Sequence, residues 1–250
     1  MTLPALPDDT FERVLCVVAH PDDVEYGTSA AVAKWIAQGA EVGYLLLTRG
    51  EAGMPNPPEE TARLRRAEQE AACAAVGVER LTVLDHPDGV LVYNLDLRRD
   101  IAREIRQFRP DAVVVGPWDV EFPGLGYNQA DHRAAGLAAI DAIRDADKRW
   151  VFPEQIDDEG LEKWGTRWIL VGAFGPDATH GVDVTGEPLA KGVASLEAHK
   201  EYLAAIPGHP APKDFIPQIA AMSGKAMGVE HAVLFKATDQ HAPPSFDDLA

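Results

Sequence analysis

The chain is short of several things, and each shortage removes a class of protein. It has two cysteines in 250 residues. Cys16 falls in an apolar run and Cys73 in an alanine-rich helical stretch, so both are expected as buried free thiols rather than a disulfide. No apolar run exceeds strand length, which argues against a membrane-spanning helix. The first nine residues lack the basic start and long apolar stretch of a signal peptide, so a cytoplasmic location is expected. Positive charge is scarce: 23 Lys and Arg face 40 Asp and Glu, for a net charge of -17. Nucleic-acid binding needs a basic face, and this balance argues against one. Adhesion to anionic lipid is disfavoured for the same reason, and the acidic surface reads as solubilising. There is no internal repeat and no low-complexity tract.

Several familiar catalytic signatures are also missing. No Gly-x-Gly-x-x-Gly follows the first apolar run, so a dinucleotide fold would lack its phosphate turn. There is no Walker A motif and no Gly-x-Ser-x-Gly nucleophile elbow. Both cysteines lie inside expected elements, which disfavours a cysteine nucleophile.

What is present is a regular alternation. Apolar residues make up 46% of the chain, enough for a full core. Strands are expected at 14–19, 42–47, 81–84, 112–115 and 168–172. Helices are expected at 29–38, 59–76, 96–108 and 132–143, with Asp96 as the cap of the third and its end before Arg109-Pro110. Strand, helix, strand, repeated, predicts an α/β fold: a Rossmann-like, mostly parallel sheet with helices on both faces. The length fits a single domain over 1–250, with a core at about 12–185 and a small C-terminal extension at about 186–250. In that extension 187–204 and 215–222 read as helices and 232–235 as a last strand, joined by a Pro/Gly-rich link at 207–212.

The first apolar run stops at Ala19-His20-Pro21-Asp22-Asp23. Thr48 to Gly53 follows the second, Asp85-His86-Pro87-Asp88-Gly89 the third, and Gly116 to Asp119 and then Tyr127 to His132 the fourth. In a parallel sheet these four loops share one edge, where open α/β sheets keep their active sites. His20 and Asp23 are three apart, and a tight turn can aim both inward. With His132 from a neighbouring loop they make two histidines and a carboxylate, a three-ligand set that leaves a metal open to water. Zinc suits it, and so does Fe2+ or another divalent metal, although the α/β pattern fits an iron oxygenase poorly. Asp22 stands beside these ligands without being needed as one, which makes it the natural general base. His86 reads either as part of a turn or as a substrate-contacting residue. Glu25 reads as part of a helix start, and His180, His199, His209, His231 and His241 have no supporting spacing.

These motifs, in order, resemble the LmbE-like or PIG-L family of zinc-dependent N-deacetylases. The resemblance rests on Ala19 to Asp23, on Thr48-Arg49-Gly50-Glu51-Ala52-Gly53, and on Arg65, Glu68 and Gly77-Val78. Pro87-Asp88-Gly89, Arg109-Pro110-Asp111 and Asp131-His132 complete it. It implies zinc on His20, Asp23 and His132, Asp22 as base, and substrate contacts from Arg65 and Asp88. Tyr127 matches a mobile tyrosine of some members. One position departs: the family reads His-Pro-Asp-His where this chain has Gln129-Ala130-Asp131-His132. Gln129 thus replaces a histidine that helps stabilise the oxyanion, and losing one such donor typically costs ~10²–10³ in rate. The family's His-x-Ser-Gln is also replaced, by His199-Lys200-Glu201-Tyr202.

The resemblance implies a hydrolase that removes an acetyl or similar acyl group from the amide nitrogen of an amino sugar or sugar conjugate. A zinc-bound water would attack, with Asp22 as base. The partner expected is that N-acylated substrate, with no nucleic acid and no membrane insertion; a homo-oligomer is compatible. The rival reading, prompted by Gln129, is a non-catalytic metal-dependent sugar-binding protein.

Overall fold

Val14, Leu15, Cys16 and Val17 are all buried. A strand apolar on both faces must be covered on both, and successive side chains alternate between them. Val14 and Cys16 join one core with Trp35, Val42, Tyr44 and Cys73. Leu15 and Val17 join another with Leu45, Ile101, Ile105 and Ala138. The sheet therefore lies between two helical layers. The computed structural model describes residues 2–122, 126–173 and 175–242.

In chain order the elements begin with β1 (Arg13–Val18), α1 (Asp23–Gly27), α2 (Ser29–Ala37), β2 (Glu41–Thr48) and α3 (Pro58–Val76). β3 (Arg80–His86), α4 (Leu95–Phe108), β4 (Ala112–Val115), β5 (Glu121–Phe122) and β6 (Gly126–Tyr127) follow. Next come α5 (Ala130–Ala146), α6 (Glu154–Asp157), β7 (Trp168–Gly172) and β8 (His180–Asp183). α7 (Glu187–Glu197), α8 (Lys200–Ala205), α9 (Pro212–Met227) and β9 (Ala232–Asp239) close the described chain.

Seven strands form one sheet in the order β3-β2-β1-β4-β7-β9-β8. β1 pairs in parallel with β2 on one side and β4 on the other, so the strand order reverses between them. A crevice opens at such a reversal, outside the carboxyl ends of the strands. The five strands expected from the sequence are all present and mutually parallel.

Four details differ from expectation. Asn94, not Asp96, caps α4: its Oδ1 accepts the Leu97 N–H at 2.8 Å, and Asp96 sits in the first turn. α5 starts two residues early, which places His132 inside its first turn. The stretch 187–204 is two helices that break at Ala198 and His199. β8 was not expected, and β9 runs antiparallel between β7 and β8, so the C-terminal segment supplies a strand of the main sheet. Both cysteines are buried and free, as expected. Among the described residues no helix is long and apolar enough to cross a membrane.

Candidate metal centre

β1 ends at Val18, and the next four residues turn sharply. Asp22 has φ 81°, the left-handed region that a residue other than glycine enters at a cost of about 1–2 kcal/mol. The structure holds it there. Its N–H donates to Gln69 Oε1 at 3.0 Å, and its carbonyl accepts from Tyr26 N–H. The turn delivers His20 and Asp23 to the same spot, where Asp23 Oδ2 accepts the His20 backbone N–H at 2.9 Å.

The three expected ligands converge. His20 Nδ1 lies 3.6 Å from Asp23 Oδ2, and His132 Nε2 lies 3.0 Å from Asp23 Oδ1. Each residue offers one ligand atom within 4.8 Å of the others. Metal bonds of 2.0–2.2 Å in a tetrahedron separate ligand atoms by roughly 3.4 Å, so small adjustments suffice. Each histidine also turns its other nitrogen to a fixed partner. His20 Nε2 is 3.0 Å from Asp88 Oδ1 and 3.3 Å from Asp131 Oδ2, and His132 Nδ1 is 3.3 Å from Asn128 Oδ1. Partners of this kind set the ring orientation and raise ligand basicity.

His20 also forms a group with Asp88 and Asp131 that could hold a metal. Those carboxylates are already committed. Asp131 accepts the N–H groups of Gly89 and Leu91, and Asp88 Oδ2 accepts that of Ala52 at 2.7 Å. They fasten the loops after β2 and β3 to the site and orient His20.

The electrostatics favour a cation. Burial works against charging His20, yet Asp23, Asp131 and Asp88 outweigh it and push the imidazole up to about 12. Burial opposes ionisation of Asp23 too, but His132 and His20 hold it well below the usual carboxylate range. Burial likewise resists charge on His132, which Asp23 nevertheless raises. Three carboxylates around one buried imidazole are short of positive charge. With two nitrogens and an oxygen as donors, these residues fit a divalent metal.

Asp22 behaves differently. Burial pushes its carboxyl up to about 7, against the pull of Arg65 and with the repulsion of Asp23. Arg65 Nη2 reaches Asp22 Oδ1 at 2.9 Å and also donates to the Pro21 carbonyl. Asp22 Oδ2 is buried and has no hydrogen bond. Arg65, expected at the substrate, is 2% exposed, with its guanidinium stacked 3.7 Å above the Tyr202 ring.

The remaining expected residues scatter. His86 ends β3 and pairs with Asp100 of α4 at 3.1 Å, outside the cluster. Tyr127 is 81% exposed on the short β5–β6 ribbon. Gly124 and Leu125, just before it in the chain, lie outside the described residues. Gln129 is exposed at the N-cap of α5, one helical turn from His132. The sequence reading assigned no functional role to Asn128 or Gln69, used Asp131 only as part of a motif, and took Glu25 as part of a helix start, which it is, in the first turn of α1. Asp131 was signalled by its adjacency to His132, and Gln69 by lying four residues from Arg65 on one helix face. Glu25 is fully buried and accepts from Gln69 Nε2 at 3.0 Å and Ser195 Oγ at 3.3 Å.

Residues 15–143 match the family described as PIG-L: GlcNAc-PI de-N-acetylase. The diacetylchitobiose deacetylase of Thermococcus kodakarensis is 34% identical over 141 residues, covering 55% of this chain and 51% of that protein. The 1D-myo-inositol 2-acetamido-2-deoxy-alpha-D-glucopyranoside deacetylase of Kineococcus radiotolerans is 33% identical over 180 residues, covering 55% and 48%. The chain thus spans about half the length of these curated relatives. Among solved structures, the N,N'-diacetylchitobiose deacetylase from Pyrococcus horikoshii superposes with a TM-score of 0.83 at 25% identity, covering 98% of this chain and 91% of that one.

Proposed function

The chain belongs to the PIG-L family, and on that premise we propose that it is a metal-dependent hydrolase that removes an acetyl or similar acyl group from the nitrogen of an amino sugar or sugar conjugate. The relatives are named for acetylated amino sugars, a chitobiose and a glucosaminyl inositol, which supports that substrate class. His20, Asp23 and His132 would hold the metal, zinc by donor type. A divalent ion there supplies a polarised carbonyl and an acidified water.

The observation that carries the proposal is the state of Asp22. Arg65 occupies Oδ1, and Oδ2 is buried without a close hydrogen bond, with the Tyr202 hydroxyl near enough to help stabilise its charge. Such an oxygen can take a proton from the attacking water. A carboxyl that burial raises above the usual carboxylate range can also give it up again, as a proton shuttle must. The C–O bond to water forms, the C–N bond breaks, and the proton on Asp22 goes to the leaving amine. Acetate and a free amine result. Tyr127 and Gln129, five and three residues before His132 in the chain, are the candidate donors to the developing oxyanion, while Asp88, with its two oxygens on His20 and Ala52, would serve by orienting His20.

The test is amine release from a panel of N-acetylated sugars and sugar conjugates, before and after chelation. Release that depends on metal and on Asp22 is expected. Binding of these sugars with no release from any of them would favour the metal-dependent binding protein instead.

A further inference from the structure

Asp23 and His132 line a cavity of about 250 Å³. The rest of its wall is mostly apolar, with Val17, Ala30, Val114, Ile216, Ile219 and Leu234 among the residues that form it. It lies at the carboxyl edge of β1 and β4 and is roofed by α9. Small residues keep it open. A Cβ added at Gly116, just after β4, would meet nothing within 4 Å. Besides Asp23 and His132 the wall has, among the described residues, five polar side chains, Glu25, Tyr26, Thr28, Ser29 and Ser223, and three are occupied within the protein, Glu25 by Gln69 and Ser195. Tyr26 Oη lies 2.7 Å from His209 Nε2, and Ser29 Oγ donates to the carbonyls of Glu25 and Gly192.

A sugar ring fits this wall badly. Its hydroxyls would lose water and find few partners, and unpaired buried polar groups are expensive. An alkyl chain loses nothing there and gains by leaving water. An apolar cavity of 150 Å³ holds a benzene ring, so 250 Å³ corresponds by proportion to about ten carbons. Resting on the hydrolase reading above, we propose that this cavity receives the acyl side of the scissile amide. The preferred substrate then carries an unbranched N-acyl tail longer than acetyl, of roughly six to ten carbons by the same proportion, while the sugar stays outside.

The experiment compares N-acetyl-, N-butanoyl-, N-hexanoyl- and N-octanoylglucosamine as substrates of the metal-loaded protein. In parallel, calorimetry measures binding of acetate and octanoate. kcat/KM should climb about threefold to fourfold per added methylene, and octanoate should bind at least about a hundredfold tighter than acetate. Gly116→Leu and Ile219→Trp fill the cavity from opposite walls. Each should cut the octanoyl-to-acetyl ratio of kcat/KM by about tenfold or more and weaken octanoate binding. Hydrolysis of the acetyl compound with a flat or falling series, or fillers that leave the ratio unchanged, overturns the proposal. If no compound releases amine, the hydrolase reading fails, and calorimetry still decides whether the cavity takes alkyl chains. Octanoate bound no better than acetate counts against it.

Discussion

Arg65 Nη2 and Asp22 Oδ1 are 2.9 Å apart, and both side chains are almost wholly buried. A charge pair out of water is strongly coupled: removing one partner strands the other, at about 3–5 kcal/mol. On the proposed mechanism Arg65 would act on the chemistry through Asp22. Arg65→Met should leave the base harder to ionise, because the nearest positive charge that lowers its pKa is gone. The acid limb of the pH–rate profile should move to higher pH by about one unit or more. An unmoved limb at reduced rate would assign Arg65 to packing alone.

Asp22→Asn keeps the shape of the site and removes the proposed proton acceptor. Metal content should stay at the wild-type level while kcat falls by about 10²–10⁴. Elemental analysis and amine release on the same preparation decide it. Wild-type turnover with normal metal would locate the base elsewhere.

His132→Ala should strip the site of most of its metal. Asp131→Asn should weaken metal affinity by about 10- to 100-fold, because it disturbs the carboxylate that orients His20. Both are read by titration with a competing chelator. An Asp131 variant of unchanged affinity would show that Asp88 alone orients the ring.

Tyr127→Phe should lower kcat by about tenfold or more with a smaller effect on KM, the pattern of a contact made mainly in the transition state. Gln129→His should change the pH dependence of turnover without altering metal content. Silent substitutions at both positions would exclude this flank as the source of the oxyanion donor.

Glu25 and His199 predict how stability responds to pH. Burial pushes Glu25 up to about 8 and His199 down to about 3, and the two side chains are 3.9 Å apart. Folded, the pair binds one proton over that whole range. Unfolded, with ordinary pKa values of 4.5 and 6.5, it binds two protons below 4.5, one between, and none above 6.5. The pair's contribution should be flat from pH 4.5 to 6.5. It falls below 4.5 down to about 3, where His199 resists protonation, and above 6.5 up to about 8, where Glu25 resists ionisation. Each limb has a slope of up to about 1.4 kcal/mol per pH unit. Glu25→Gln should abolish the alkaline limb in urea-denaturation midpoints. An alkaline limb that survives intact in that variant must come from other groups.

Much of this was readable in the chain. The parallel strands announce themselves because a strand buried on both faces is apolar at every position, as from Val14 to Val18. His20, Asp22, Asp23 and His132 stand out because polar groups interrupt such runs only where chemistry or capping requires them. β8 did not stand out, and 232–235 read as a last strand with no partner assigned, because the antiparallel placement of both depends on β7 being available as an edge. The break at His199 carries no glycine or proline, so local propensity reads straight through it. Arg65 was legible as a member of the set, but which way its guanidinium turns depends on where α3 packs against the β1 turn.

The site draws His20 and Asp23 from the segment after β1 and His132 from the helix after β4. These segments become neighbours only when Val14 to Val17 have paired with Ala112 to Val115. An ion that needs all three residues has no foothold on a chain whose central strands are apart. It cannot seed the pairing of β1 with β4; it can only follow it. The metal-stripped protein should therefore reach its sheet unaided and lose, at most, the final closure around the ion.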